Sequence, residues 1–291
     1  MRAKSLIITL FGDVISQHGG EIWLGSIAKS VEALGVNDRL VRTSVFRLAK
    51  EGWLEVEREG RKSFYGFTRS GSKEYQRAAQ RIYSAGGDSW HGTWQLLVPT
   101  NLPEAQRDNF RRSLHWLGFR AISNGTFARP GGDEDSIRDL LDEFDLNSGV
   151  VVMEAKTSSL TTPKEWRELV SEHWQLRNLE DEYRQIIGLF SPLKKALDKG
   201  KVPTPLEAFQ ARLLLIHEYR RILLRDTPLP TDLLPNRWQG TVARQLAQAL
   251  YRDLAKPSTS YIQTELVNRQ GRLPESEYYF YQRFGGISKN L

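Results

Sequence analysis

Asn37-Asp38-Arg39-Leu40-Val41-Arg42-Thr43-Ser44-Val45-Phe46-Arg47-Leu48-Ala49-Lys50 carries two messages on one helix. At about 100° per residue, Val41, Val45 and Leu48 form an apolar stripe with Ser44 and Ala49 at its edges, so that face packs inward. Arg39, Arg42, Thr43, Arg47 and Lys50 share the other side. A short, basic, hydrogen-bonding face is what a helix needs to read the major groove, where arginine pairs with guanine O6 and N7. Arg42 or Arg39 is the candidate base reader. Phe46 also points outward, either to meet a thymine methyl or to pack under a neighbouring hairpin.

Outward from that helix, Gly35-Val36 supplies a tight glycine-containing turn and Asn37-Asp38 an N-cap. Upstream lie two helical patterns, residues 5–16 and 24–34, separated by His18-Gly19-Gly20. Downstream, Trp53-Leu54 leads into a glycine-centred hairpin over residues 54–67. Three helices followed by a hairpin predict a winged helix-turn-helix within residues 1–85. Arg58, Arg61 and Lys62, around the hairpin tip, are placed for phosphate contacts, which position a protein without specifying sequence. A lone basic helix is usually just solvated surface. Here it coincides with two preceding helices, a tight turn and a basic hairpin tip, which favours double-stranded DNA as the partner. The rival from another class is a winged-helix adaptor that docks protein and shows no sequence-dependent duplex affinity.

The net charge of +6 is spread as two basic ends around an acidic middle, residues 86–165. With no cysteine, disulfides, thiolate metal sites and thiol nucleophiles are excluded, and the five histidines lack metal-ligand spacing. HExxH, GxSxG, Walker and GxGxxG patterns are missing, which disfavours an enzyme. The basic start meets Gly12-Asp13 too early for a signal sequence, and no run approaches the roughly 20 apolar residues of a spanning helix. The cytoplasm is the expected location, with no membrane partner.

Gly86-Gly87 is the expected hinge to a second region. There, strands at 93–98, 119–123, 126–129 and 150–155 and helices at 103–116 and 134–144 give a β-α-β-β-α-β order. The middle strands are joined by Asn124-Gly125, a turn whose two central positions favour positive φ. Beyond residue 163 the chain reads as helical, at 163–179, 206–224 and 241–254. Thr204-Pro205-Leu206-Glu207 forms a capping box with proline at the first helical position.

Several segments together resemble the PaaX repressors of bacterial phenylacetate catabolism. They are Gly20-Glu21-Ile22-Trp23-Leu24-Gly25, Val41-Arg42-Thr43 through Arg47-Leu48, Glu51-Gly52-Trp53-Leu54, Leu214-Leu215-Ile216-His217 with Tyr219-Arg220-Arg221, Leu233-Leu234-Pro235 with Trp238 and Gly240, and Tyr281-Gln282-Arg283-Phe284-Gly285-Gly286. The resemblance spans essentially the whole chain. It implies an α+β protein of three parts: the winged helix-turn-helix (1–85), a ferredoxin-like, Cas2-like domain (88–160) suited to dimerisation, and a mainly helical C-terminal domain (163–291) suited to effector sensing. It also implies a homodimer on operator DNA that phenylacetyl-coenzyme A releases, with no cofactor. Nucleases of the Cas2 fold use a carboxylate at the end of the first strand. Here that strand ends Val98-Pro99-Thr100-Asn101.

On helix 206–224, Phe209, Leu213, Ile216 and Arg220 share one face with His217 at its shoulder. A charged residue in such a stripe needs a partner: either Asp226 or Glu218 in a structural ion pair, or the phosphates or thioester oxygen of an aryl-acyl-coenzyme A held by Arg220 and His217. Tyr219, Trp174 and Trp238 are candidates to wall the aryl group, or are plain core.

Overall fold

Every residue from Leu6 to Asp13 is buried. A helix that is buried all round has no solvent face to alternate with, and this one, α1 (Ala3–Asp13), runs through the centre of its unit. In the computed structural model, which describes residues 3–84, 90–131, 134–146, 148–227 and 229–287, the chain forms two compact units. The first comprises residues 1–85, 182–225 and 239–291, the second 86–181 and 226–238. The expected hinge at Gly86-Gly87 lies outside the described residues.

After α1, Gly19 and Gly20 take positive φ and turn the chain into a short strand, β1 (Glu21–Trp23), which the periodicity did not reveal. Next come α2 (Leu24–Val31) and a single 3-10 turn to Leu34. Gly35 sits at φ 82°, and the Asn37 side chain accepts from the Leu40 N–H at 3.0 Å, capping α3 (Asp38–Lys50). The hairpin of β2 (Leu54–Glu59) and β3 (Lys62–Phe67) pairs Glu59 with Lys62, and β1 joins β3 to give an antiparallel sheet in the order β1-β3-β2. Thr68 caps α4 (Arg69–Ile82) through the Gly71 N–H.

In the second unit, β4 (Thr93–Pro99), α5 (Arg107–Trp116), β5 (Arg120–Ser123), β6 (Thr126–Pro130), α6 (Glu134–Glu143) and β7 (Val150–Lys156) follow in turn. The sheet order is β5-β6-β4-β7, and all its pairs are antiparallel. Phe110, Leu114, Ile137, Leu140 and Leu141 from the two helices bury Leu97 and Phe127 of the sheet. The Asn124-Gly125 turn differs from expectation. Gly125 is at φ 80° but Asn124 is not at positive φ, and a register shift between Ala121 and Ser123 takes up the difference. Trp94 stacks on Trp166 of α7 (Pro163–His173), with Trp90 edge-on.

The expected helix over 163–179 is two helices. Gln175, at φ 54°, breaks the run, and α8 (Leu176–Asp198) starts afresh and crosses the unit boundary. From residue 182 onward most of the chain belongs to the first unit. There α9 (Pro205–Leu223) begins at the expected capping box, with both the Thr204 hydroxyl and the Glu207 carboxylate engaged. It packs along α10 (Gln239–Glu265), which runs well past residue 254 and continues through Pro257. A small hairpin, β8 (Val267–Asn268) and β9 (Gly271–Arg272), and α11 (Tyr278–Gln282) complete the unit. One core joins Leu6, Leu10, Ile27, Val41, Val45 and Leu48 to Phe209, Leu213, Tyr261, Ile262 and Leu273. The C-terminal helices therefore supply part of the core on which α3 rests.

Candidate nucleic-acid interface

The helix α3 buries Val41, Ser44, Val45 and Leu48 and exposes Arg39, Arg42, Thr43, Arg47 and Lys50. The sorting follows from the 3.6-residue repeat, and the stripe is anchored in the core around α1. Phe46 is 68% exposed, which rules out packing beneath the hairpin. Thr43 Oγ1 donates to the Arg39 carbonyl at 2.9 Å, and Arg42 Nε lies 2.6 Å from Asp38 Oδ2, one turn back. That carboxylate raises the Arg42 pKa. It also holds the side chain along the helix, and surface pairs of this spacing are weak enough to exchange for a better acceptor.

On the hairpin, Arg58, Arg61 and Lys62 are exposed, with Gly60 at φ 57° forming the turn. The strand register places Leu54, Val56 and Arg58 on one face of the sheet and Glu55, Glu57 and Glu59 on the other. Lys62 is on the glutamate face, with its Nζ 5.4 Å from the Trp23 ring centroid. Three cations thus share the hairpin with three carboxylates.

The same unit contains a buried ionic cluster that periodicity alone did not single out. Asp13, at the end of α1, is fully buried and accepts from Arg212 Nε (3.0 Å), Arg283 (2.9 Å) and the hydroxyls of Tyr83 (2.7 Å) and Tyr251 (2.8 Å). Arg212 also donates to Ser258 Oγ and the Asp13 carbonyl, and Arg283 to the carbonyls of Asp13 and Gly12. Burial alone would raise the Asp13 pKa. The two guanidiniums and the two hydroxyl donors outweigh it and hold the carboxyl below its ordinary value. The available signals were an aspartate inside an apolar run and an arginine beside the α9 stripe.

The expected effector residues are divided between the units. His217 and Tyr219 are buried on α9, and His217 Nδ1 lies 3.3 Å from Thr9 Oγ1 of α1. Arg220 donates to the same hydroxyl at 3.4 Å, while its Nε is buried without a partner. Neither proposed carboxylate serves Arg220 in this unit: Glu218 takes Arg221 at 3.1 Å, and no described carboxylate forms a salt bridge with Arg220. Burial lowers the Arg220 pKa, and burial takes that of His217 down to about 4. Trp174 and Trp238 are buried in the second unit, where Trp174 Nε1 donates to the Gly118 carbonyl at 3.3 Å. Neither unit by itself assembles all five residues. Among the described residues no acidic, histidine or cysteine group could hold a metal, and no helix is long and apolar enough to cross a membrane.

Three family models match the chain: PaaX-like protein over residues 2–71, the PaaX protein central Cas2-like domain over 87–168, and the PaaX-like protein C-terminal domain over 174–264. The chain is 38% identical to the transcriptional repressor PaaX of Escherichia coli (strain K12) over 288 residues, which is 98% of this chain and 90% of the relative. Among solved structures, an uncharacterized protein from Mycobacterium tuberculosis shares the fold with a TM-score of 0.52 at 20% identity, covering 80% of this chain and 88% of that one.

Proposed function

The chain belongs to the PaaX-like family of non-enzymatic transcriptional regulators, and from that membership we propose that it represses phenylacetate-degradation genes by binding operator DNA. The observation that carries this reading is the two-sided α3, with a stripe locked into the core and Arg39, Arg42, Thr43, Arg47 and Lys50 all in solvent. With α2, the turn at Gly35 and the β2–β3 hairpin, it is read as a winged helix-turn-helix in which α3 enters the major groove and Arg58, Arg61 and Lys62 meet phosphates. The sheet order β5-β6-β4-β7 supports reading residues 88–160 as a ferredoxin-like domain, and we assign it the role of dimerisation. A two-fold dimer would require an operator with two related halves about 10 bp, or a multiple, apart.

We assign release from DNA to an aryl-acyl-coenzyme A, phenylacetyl-coenzyme A in particular. The supporting observation is Arg220: a half-buried guanidinium with a buried, orphaned Nε and no described carboxylate partner is a site that an anionic or carbonyl-bearing ligand would satisfy. His217 and Tyr219 flank it on α9, and His217 shares its Thr9 contact. A ligand there would press on α1, which packs against α3. It would shift the equilibrium only by its preference for the released state.

The test is fluorescence anisotropy on promoter duplexes of the phenylacetate-degradation genes, with phenylacetyl-coenzyme A, coenzyme A and phenylacetate added in parallel. Release by the thioester alone is expected, and Arg220→Gln should blunt it. Release by the free acid would overturn the ligand assignment. Binding with no preference between promoter and control duplexes would overturn the repressor reading in favour of an adaptor.

A further inference from the structure

The β8–β9 hairpin, far from the DNA-binding segment in sequence, ends in an arginine that reaches the wing. Arg269 forms a two-pronged pair with Glu21 of β1, Nε to Oε1 at 3.0 Å and a terminal nitrogen to Oε2 at 2.7 Å. Its other terminal nitrogen bonds Glu57 of β2. Its backbone N–H also points to Glu21 Oε1. Register puts Glu21, Glu57, Glu55 and Glu59 on one face of the β1-β3-β2 sheet. The wing therefore presents four carboxylates to any polyanion on that side, against Lys62 and the tip residue Arg61.

Phosphate binding needs a cationic surface, and like charges placed opposite it cost affinity and steer encounter away. The bidentate geometry is the strong form of the arginine–carboxylate contact, and it engages two glutamates with one side chain. We propose that Arg269 is a positioning residue for DNA binding, a cation supplied by the C-terminal hairpin that masks Glu21 and Glu57 so that the wing can approach phosphate. This rests on the winged-helix reading above. It adds a functional residue outside the N-terminal DNA-binding segment. It also ties the charge of the wing to the hairpin that follows α10.

The experiment measures the full-length protein on a fixed 30-bp duplex across a salt series. Arg269→Ala should bind about tenfold more weakly at 50 mM salt, the gap closing to about twofold near 300 mM, because the counterion-release slope falls by about one charge. Glu57→Gln in the native background should bind more tightly than wild type, and Arg269→Ala combined with Glu21→Gln and Glu57→Gln, which leaves the same net charge on this cluster as Glu57→Gln alone, should bind at least as tightly as wild type. Thermal melting of Arg269→Ala should match wild type. A merely structural anchor predicts the opposite pattern: Glu57→Gln weakens binding, the triple variant is not rescued, and the melting temperature drops. That pattern, or an Arg269→Ala variant indistinguishable from wild type, overturns the proposal. Failure of the wild-type protein to bind any duplex instead overturns the DNA-binding reading beneath it.

Discussion

Replacing Asp13 with asparagine keeps the shape of the side chain and one carbonyl acceptor but removes the single negative charge that faces two buried arginines. Arg212 is 1% exposed and Arg283 7%, and Asp13 itself is fully buried, so water cannot replace the lost partner. Removing one member of a buried pair ordinarily costs about 3–5 kcal/mol, because the remaining charge is left uncompensated. Here two cations are left, so the upper part of that range applies. With a shift of about 2–4 °C per kcal/mol for a unit of this size, the melting temperature should fall by roughly 10–20 °C. Urea unfolding followed by tryptophan fluorescence and by far-UV circular dichroism measures the change. The stoichiometry supplies an internal control: Arg212→Met leaves Asp13 paired with Arg283 and should cost clearly less than Asp13→Asn. The pH dependence has a definite sign. Because the folded-state pKa of Asp13 lies below its ordinary 3.8, its stabilisation is fully present above that value and is lost as the pH falls through the folded pKa. The difference between wild type and Asp13→Asn should therefore shrink only below about pH 3.8. A cost under about 1 kcal/mol, or an Arg212→Met penalty as large as that of Asp13→Asn, would refute the reasoning, since either means that the cluster is not held by charge balance.

Three further outcomes are expected. Arg42→Ala should relax preference at one operator base pair by roughly tenfold or more, whereas Lys62→Ala should weaken all duplexes alike and lower the salt slope by about one; equal losses on every sequence for both variants would remove the distinction between reader and wing. Burial takes His18 and His217 down from 6.5 to about 4, so the folded state binds fewer protons than the unfolded one between those values, and stability should fall as the pH is lowered from about 6.5 to about 4; a flat urea midpoint over that window would contradict the neutral, buried assignment. Gly12→Ala should destabilise by about 1–3 kcal/mol through overpacking, because a Cβ there would sit 1.9–2.2 Å from the Tyr75 ring, and the combination with Tyr75→Leu should recover part of the loss in thermal melting.

The chain's own pattern determined the elements whose signals are local. The α3 stripe, the Asn37 and Thr204 caps and the β2–β3 hairpin each rest on residues within a turn or two of one another, where backbone hydrogen bonding and side-chain periodicity act directly. The same locality explains the misses. The β1 strand is three residues long and exists because β3 offers it an edge, and the break at Gln175 and the passage of α10 through Pro257 depend on packing that propensity does not contain. Contacts between distant residues were decided only by tertiary structure: Asp13 with Arg212, Tyr251 and Arg283, Arg220 with Thr9, and Arg269 with Glu21 and Glu57. A charge in the sequence shows a need for a partner, but which partner it finds depends on how the C-terminal helices close against α1, and that closure is paid for by the shared apolar core.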